Sequence, residues 1–209
     1  MIAKSHTTTG KIMGITAIIL AGGKSRRMGK DKRTLTLGNR SFLRAVYDTM
    51  ETFAQEIIVS YSSPLQKVEK LNAIDVYDEV KGAGPLAGLI SSLKAAKNET
   101  VAFAPVDAPA ISPELYIYMI NVLESFDAVV PKKGDYIEPL IAVYKREEFL
   151  NACEKTLCAG YKHVRKAVER LEKVKYVDVE EFRQFDRNLL CFENVNTPQD
   201  YSRLKNILG

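Results

Sequence analysis

Apolar residues follow two rhythms along this chain. Short runs rich in β-branched residues, the pattern of strands buried on both faces, occupy residues 15–20, 56–60, 74–77, 101–104, 127–130 and 140–144. Between them apolar positions recur every three or four residues, as in helices with one covered face. Leu43, Val46, Met50 and Phe53 follow Ser41, a helix-capping residue. Leu86, Leu89, Ile90 and Leu93 follow Pro85, while Leu115, Met119, Val122 and Leu123 follow Ser112 and Pro113. A basic helical stretch is expected over residues 163–173, and a last helix from Thr197 and Pro198. The alternation predicts an α/β fold, a single-domain Rossmann-like, mostly parallel sheet with helices on both faces. No repeat, low-complexity tract or linker divides it. Residues 1–14 lack a signal-peptide core and are expected to be a flexible extension, leaving 15–209 as the domain.

Composition changes this picture little. A chain of 209 residues with 46% hydrophobic and 27% charged residues suits a soluble domain with a full-sized core. Its net charge of +4, spread over 30 basic and 26 acidic residues, favours a small anionic ligand over a nucleic-acid groove. Cys153, Cys158 and Cys191 are odd in number and lack metal-ligand spacing, as expected of free thiols in a reducing cytosol. No apolar run approaches the ~20 residues of a membrane span.

The chemistry concentrates after the first strand. Leu20 and Ala21 lead into Gly22 and Gly23, which let the backbone approach a ligand closely. The next nine residues carry Lys24, Arg26, Arg27, Lys30 and Lys32. A strand opening into a glycine turn with so many cations suits a polyphosphate, cradled by backbone N–H groups and neutralised by side chains. It is not a Walker A loop, because five residues separate Gly23 from Gly29 and Asp31 follows Lys30. Residues 82–88 contain a glycine cluster with a proline inside, which also departs from a dinucleotide fingerprint.

Asp107 lies just past another apolar strand, where open α/β sheets place their ligands. A carboxylate there suits Mg²⁺, whose other ligands are substrate phosphates and waters. Ser112 is the expected cap of the following helix, which leaves Asp107 for this task. Asp78 lies six residues upstream of Gly84, in a segment whose glycines let the backbone approach a flat base. Neither His6 nor His163 has an evident partner for acid/base chemistry.

The loop LAGGKSRRMGKDK resembles the signature of the nucleotidyltransferases that include molybdenum cofactor guanylyltransferase, matching it at Leu20, Ala21, Gly22, Gly23, Ser25, Arg27, Met28, Gly29, Asp31 and Lys32. The resemblance returns at GPLAG (84–88), PVDAP (105–109), EPL (138–140) and NVNTP (194–198). It implies the fold of nucleotide-diphospho-sugar transferases and transfer of GMP from GTP to the phosphate of molybdopterin-bound molybdenum, with Mg²⁺. It also implies a nucleotide-binding half, about 15–110, and an acceptor-binding half, about 111–209. Lys32, Asp107 and Arg27 would be catalytic and Asp107 the metal ligand. Nucleotide would be bound by Leu20, Ala21, Gly22, Gly23, Lys32, Ser60, Asp78, Gly84, Pro85, Leu86, Gly88 and Asp107. The acceptor would meet Lys162, Arg165, Asn194 and Asn196. Ser60 departs from the family's asparagine at that position. Another base or acceptor, such as cytidylyl transfer to molybdopterin, and a non-catalytic nucleotide-binding module remain alternatives. Expected partners are the two substrates, with transient contact to other cofactor-biosynthesis proteins or target apoenzymes, and neither nucleic acid nor membrane.

Overall fold

The structure, a computed structural model, describes residues 11–23, 28–78 and 85–208. Its strands are β1 (Ile12–Leu20), β2 (Thr36–Leu37), β3 (Arg40–Ser41), β4 (Ala54–Tyr61), β5 (Ile74–Tyr77), β6 (Thr100–Pro105), β7 (Ala128–Lys133), β8 (Tyr136–Ile137), β9 (Ala142–Lys145) and β10 (Val174–Asp178). The helices are α1 (Phe42–Glu51), α2 (Pro85–Ala95), α3 (Pro113–Leu123), α4 (Arg146–Cys158), α5 (Val164–Val168) and α6 (Pro198–Leu208).

The central sheet runs β10-β7-β9-β6-β1-β4-β5, with β8 paired to β7, and β2 and β3 form a separate ribbon. All neighbours along the central path are parallel except β9, which lies antiparallel between β6 and β7. The sheet is therefore mixed and mostly parallel, as expected. Alternation along β1 explains its two layers. Ile15, Ala17 and Ile19 face a core shared with α1, α3 and α6, while Ile18 faces one shared with α2, α4 and α5.

β1 begins at Ile12, which is buried, so the expected extension cannot reach residue 14. Residues 1–10 lie outside the described part. Ser41 caps α1 as expected, its hydroxyl accepting from the Arg44 N–H. Ser112 stands at the start of α3, but its side chain makes no capping bond. The expected basic helix over 163–173 shrinks to α5, and two elements that no strong pattern announced, α4 and β10, complete the second half.

Candidate active site

The parallel strands are in register where they end. Leu20 of β1 pairs with Ser60 of β4 and with Pro105 of β6, and Tyr61 of β4 pairs with Tyr77 of β5. After β1 the chain next adds β4 and β5 on one side, then β6 on the other. The segments leaving β1 and β6 thus diverge and open a crevice at the carboxyl ends, the place where such sheets bind ligands. A cavity of about 670 Å³ sits there. Its walls include Leu20, Ala21, Gly22, Gly23, Lys32, Ser60, Asp78, Pro85, Gly88 and Asp107, ten of the positions expected to meet nucleotide. Asp31, Arg33, Ser62, Val106 and Leu140 line it too, and none of these had been assigned a role.

Leu86 does not join them. It is fully buried among the α2, α4 and sheet residues of the second core. Pro85 and Gly88 stand three residues apart and share one helix face, whereas Leu86 turns to the core. Gly84 and Arg27 fall outside the described residues.

At one end of the cavity Lys32 Nζ donates to Asp107 Oδ2 at 2.8 Å and to Asn196 Oδ1 at 2.7 Å. Lys32 is placed by a short 3-10 helix (Lys32–Thr34), whose start Asp31 caps by accepting from the Arg33 N–H. Asp107 is placed by the end of β6, and its carbonyl accepts the Val195 N–H at 2.8 Å, docking residues 194–196 against it. A capping box fixes Asn196 from the other side. Asp200 Oδ2 accepts the Asn196 and Thr197 N–H groups, and Thr197 Oγ1 accepts the Asp200 N–H. Those backbone donors hold the Asp200 carboxyl below the usual range.

Two oxygen ligands of different type thus converge on one cation, the Lys32 ammonium. The same pair suits a hard divalent cation, which takes carboxylate and amide oxygens. Glu138 adds a second carboxyl to this neighbourhood. Burial, and then the charge of Asp107, raise its pKa above the usual range. The sequence had offered Glu138 only as part of a motif, without a role.

At the opposite end, Gly88 lets α2 approach β4 and residue 78. A Cβ at Gly88 would lie 2.8 Å from Ser60 Oγ and 3.0 Å from Asp78 Oδ1. Burial raises the Asp78 carboxyl above its usual range, and a hydrogen bond with Ser62 opposes that shift. A half-buried carboxylate at the end of a cavity, with a cation site at the other end, has the dimensions and polarity for a nucleotide.

The expected acceptor residues are more scattered. Asn196 belongs to the Lys32 cluster, and Asn194 has a buried amide oxygen with no hydrogen-bond partner among the described residues. Lys162 is exposed and does not line the cavity. Arg165 pairs with Glu169 at 3.2 Å and donates to the Asp135 carbonyl, also at 3.2 Å. Asp135 sits in the turn between β7 and β8, and the chain runs from there through Glu138 to Leu140 at the cavity wall. Arg165 is thus linked to the cavity through that hairpin rather than by direct contact.

Residues 17–174 match the model of the MobA-like NTP transferase domain. The chain belongs to this family. A probable molybdenum cofactor guanylyltransferase of Pelotomaculum thermopropionicum is 35% identical over 88% of this chain and 89% of its own length. The molybdenum cofactor guanylyltransferase of Syntrophotalea carbinolica is 34% identical, over 90% of this chain and 89% of its own. Among solved structures, molybdopterin-guanine dinucleotide biosynthesis protein A from Archaeoglobus fulgidus superposes with a TM-score of 0.79 at 28% identity, covering 92% of this chain and 97% of that one. The 2-C-methyl-D-erythritol 4-phosphate cytidylyltransferase of Thermus thermophilus, at 19% identity and a TM-score of 0.73 over 94% and 99% of the two chains, shares the fold alone. This family member is a nucleotidyltransferase, an enzyme class that works with a divalent metal. Among its described residues no helix is long and apolar enough to cross a membrane.

Proposed function

We propose that the chain transfers GMP from GTP to the terminal phosphate of molybdopterin-bound molybdenum, releasing pyrophosphate, in the cytoplasm. The observation that carries the reading is one cavity with the Lys32–Asp107–Asn196 cluster at one end and Asp78 beside Gly88 at the other. In this reading the first end handles the phosphates and the second reads the base.

In this reading the guanine edge donates to Asp78, and the backbone at Gly88 lies against the base. An oxygen of the acceptor phosphate attacks the α-phosphorus of GTP, the bond to the β-phosphoryl oxygen breaks, and the electron pair leaves with pyrophosphate. The acceptor is already anionic at neutral pH, so the step needs no strong base, in keeping with a site that holds no histidine among its described lining residues. Lys32 neutralises charge at the α-phosphoryl group, and Arg27 meets the departing pyrophosphate. Asp107 and Asn196 would hold Mg²⁺, which supplies further charge neutralisation when bound. Residues up to about 110 form the nucleotide half. Lys162, Arg165 and Asn194 receive the acceptor from the second half.

The test is transfer from each of the four nucleoside triphosphates to molybdopterin with Mg²⁺. GMP transfer is the expected outcome, and preferential CMP transfer would replace guanylyl by cytidylyl chemistry.

A further inference from the structure

At Ala21 the chain leaves the sheet. The Ala21 N–H still donates to the Ser60 carbonyl at 2.8 Å, but β1 ends at Leu20, so the next carbonyls have no ladder partner among the described residues. Side chains from elsewhere in the chain take over. Arg33, buried with 7% of its surface exposed, donates from Nη1 to the Ala21 carbonyl at 2.8 Å. Ser62 Oγ donates to the Gly22 carbonyl at 2.5 Å, and Gln66 Nε2 reaches the same oxygen at 3.4 Å.

Both anchors are themselves held. Arg33 Nε lies 3.1 Å from Asp31 Oδ2, and Nη2 bonds the same oxygen. The Ser62 N–H donates to Gln66 Oε1 at 2.7 Å. The identity of residue 22 supports the arrangement independently. A Cβ at Gly22 would stand 2.7 Å from Ser62 Oγ and 3.1 Å from the Ser62 nitrogen, so glycine is what lets Ser62 come this close.

A trans peptide points its N–H opposite to its carbonyl, and no cis bond occurs among the described residues. Holding the Ala21 carbonyl therefore sets the direction of the Gly22 N–H, and holding the Gly22 carbonyl sets that of the Gly23 N–H. Unheld, glycine peptides rotate more freely than any others. We propose that Arg33 and Ser62 are positioning residues, which tie back two carbonyls of the glycine loop so that the Gly22 and Gly23 N–H groups meet the triphosphate in a fixed direction. The inference rests on the nucleotidyl-transfer reading of this cavity, but not on which base the cavity selects.

The experiment compares Arg33→Met, Arg33→Lys and Ser62→Ala with the wild type. It measures KM and kcat for GTP, and the inhibition constants of inorganic pyrophosphate and of guanosine. Arg33→Met and Ser62→Ala should weaken pyrophosphate and GTP at least tenfold and lower kcat. Guanosine, which lacks phosphates, should stay within twofold for Arg33→Met and weaken less than pyrophosphate for Ser62→Ala, which also loses a hydrogen bond to Asp78. Arg33→Lys, which keeps one donor for the Ala21 carbonyl, should recover part of the loss. Guanosine weakened as much as pyrophosphate would mean a general structural role, and unchanged pyrophosphate inhibition would mean the loop needs no anchor; either result overturns the proposal. Ser62 is exposed, so Ser62→Ala tests the idea even if Arg33→Met fails to fold. A wild type that uses CTP would refute the guanylyl reading alone, and the same comparison with CTP and cytidine would still decide the role of these two residues.

Discussion

Gly88→Ala sets two effects of known size against each other. In a helix interior the change from glycine to alanine favours folding by up to about 1 kcal/mol. Against that, the new methyl must fit 2.8 Å from Ser60 Oγ and 3.0 Å from Asp78 Oδ1, closer than carbon and oxygen tolerate. Overpacking of this kind costs about 1–3 kcal/mol. Both obstructing atoms are ends of side chains, so they give way before the backbone does. Stability should therefore change little, falling by at most about 2 kcal/mol. The consequence for binding is larger. Asp78 must swing off the position from which it meets the guanine edge, and each hydrogen bond to a charged acceptor is worth about 1.5–3 kcal/mol. Loss of one such bond predicts a fall in GTP affinity of about 10- to 100-fold. Titration calorimetry with GTP, beside thermal melting, reads both quantities. A folded Gly88→Ala protein that binds GTP within twofold of the wild type would refute this placement of the base.

Three other outcomes follow from the same geometry. Asp107→Ala should fold, since β6 and its flanking prolines hold the backbone, and should lose about 10²–10³ in Mg²⁺-dependent pyrophosphate release; retention of more than a tenth of turnover would place the metal elsewhere. GTP affinity should decline on acidification at a higher pH than an ordinary aspartate would dictate, because burial raises the Asp78 pKa and only the carboxylate can accept from both guanine donors at once. Ionising Asp78 also costs the folded apoprotein, so its contribution to stability falls as pH rises from the ordinary carboxylate range through its elevated pKa. A calorimetric pH series on the wild type and Asp78→Asn checks the binding effect, and equal profiles would exclude Asp78 from base recognition. Neutralising Lys162 and Arg165 to glutamine should weaken molybdopterin binding and leave GTP affinity within about threefold; a loss of GTP affinity would move that segment to the nucleotide site.

What could be read in the sequence was whatever has a period or a local motif. The apolar run of β1, the capping serine of α1, the bounds of β5 and the strand-end position of Asp107 all belong to that kind. The direction of β9 is not local, because an antiparallel strand buried on both faces carries the same apolar run as a parallel one. α4 escaped notice because its buried stripe, Phe149, Ala152, Cys153 and Thr156, is narrow and set among charged residues. β10, an edge strand with Val177 alone fully covered, has almost no hydrophobic signal. Leu86 was drawn into the site by its neighbours, although a helix turns adjacent residues to different faces. Arg33 and Ser62 carry no motif at all. Their tasks depend on where two backbone carbonyls point, which only the folded chain decides.

The most direct test of the central claim is a transfer assay with purified protein, molybdopterin-bound molybdenum, Mg²⁺ and each of the four nucleoside triphosphates in turn, following pyrophosphate and the dinucleotide product together. The account predicts product from GTP alone, lost when Asp107 is alanine. Equal product from CTP or ATP, or GTP-dependent product from a folded Asp107→Ala protein at more than a tenth of the wild-type rate, would contradict it.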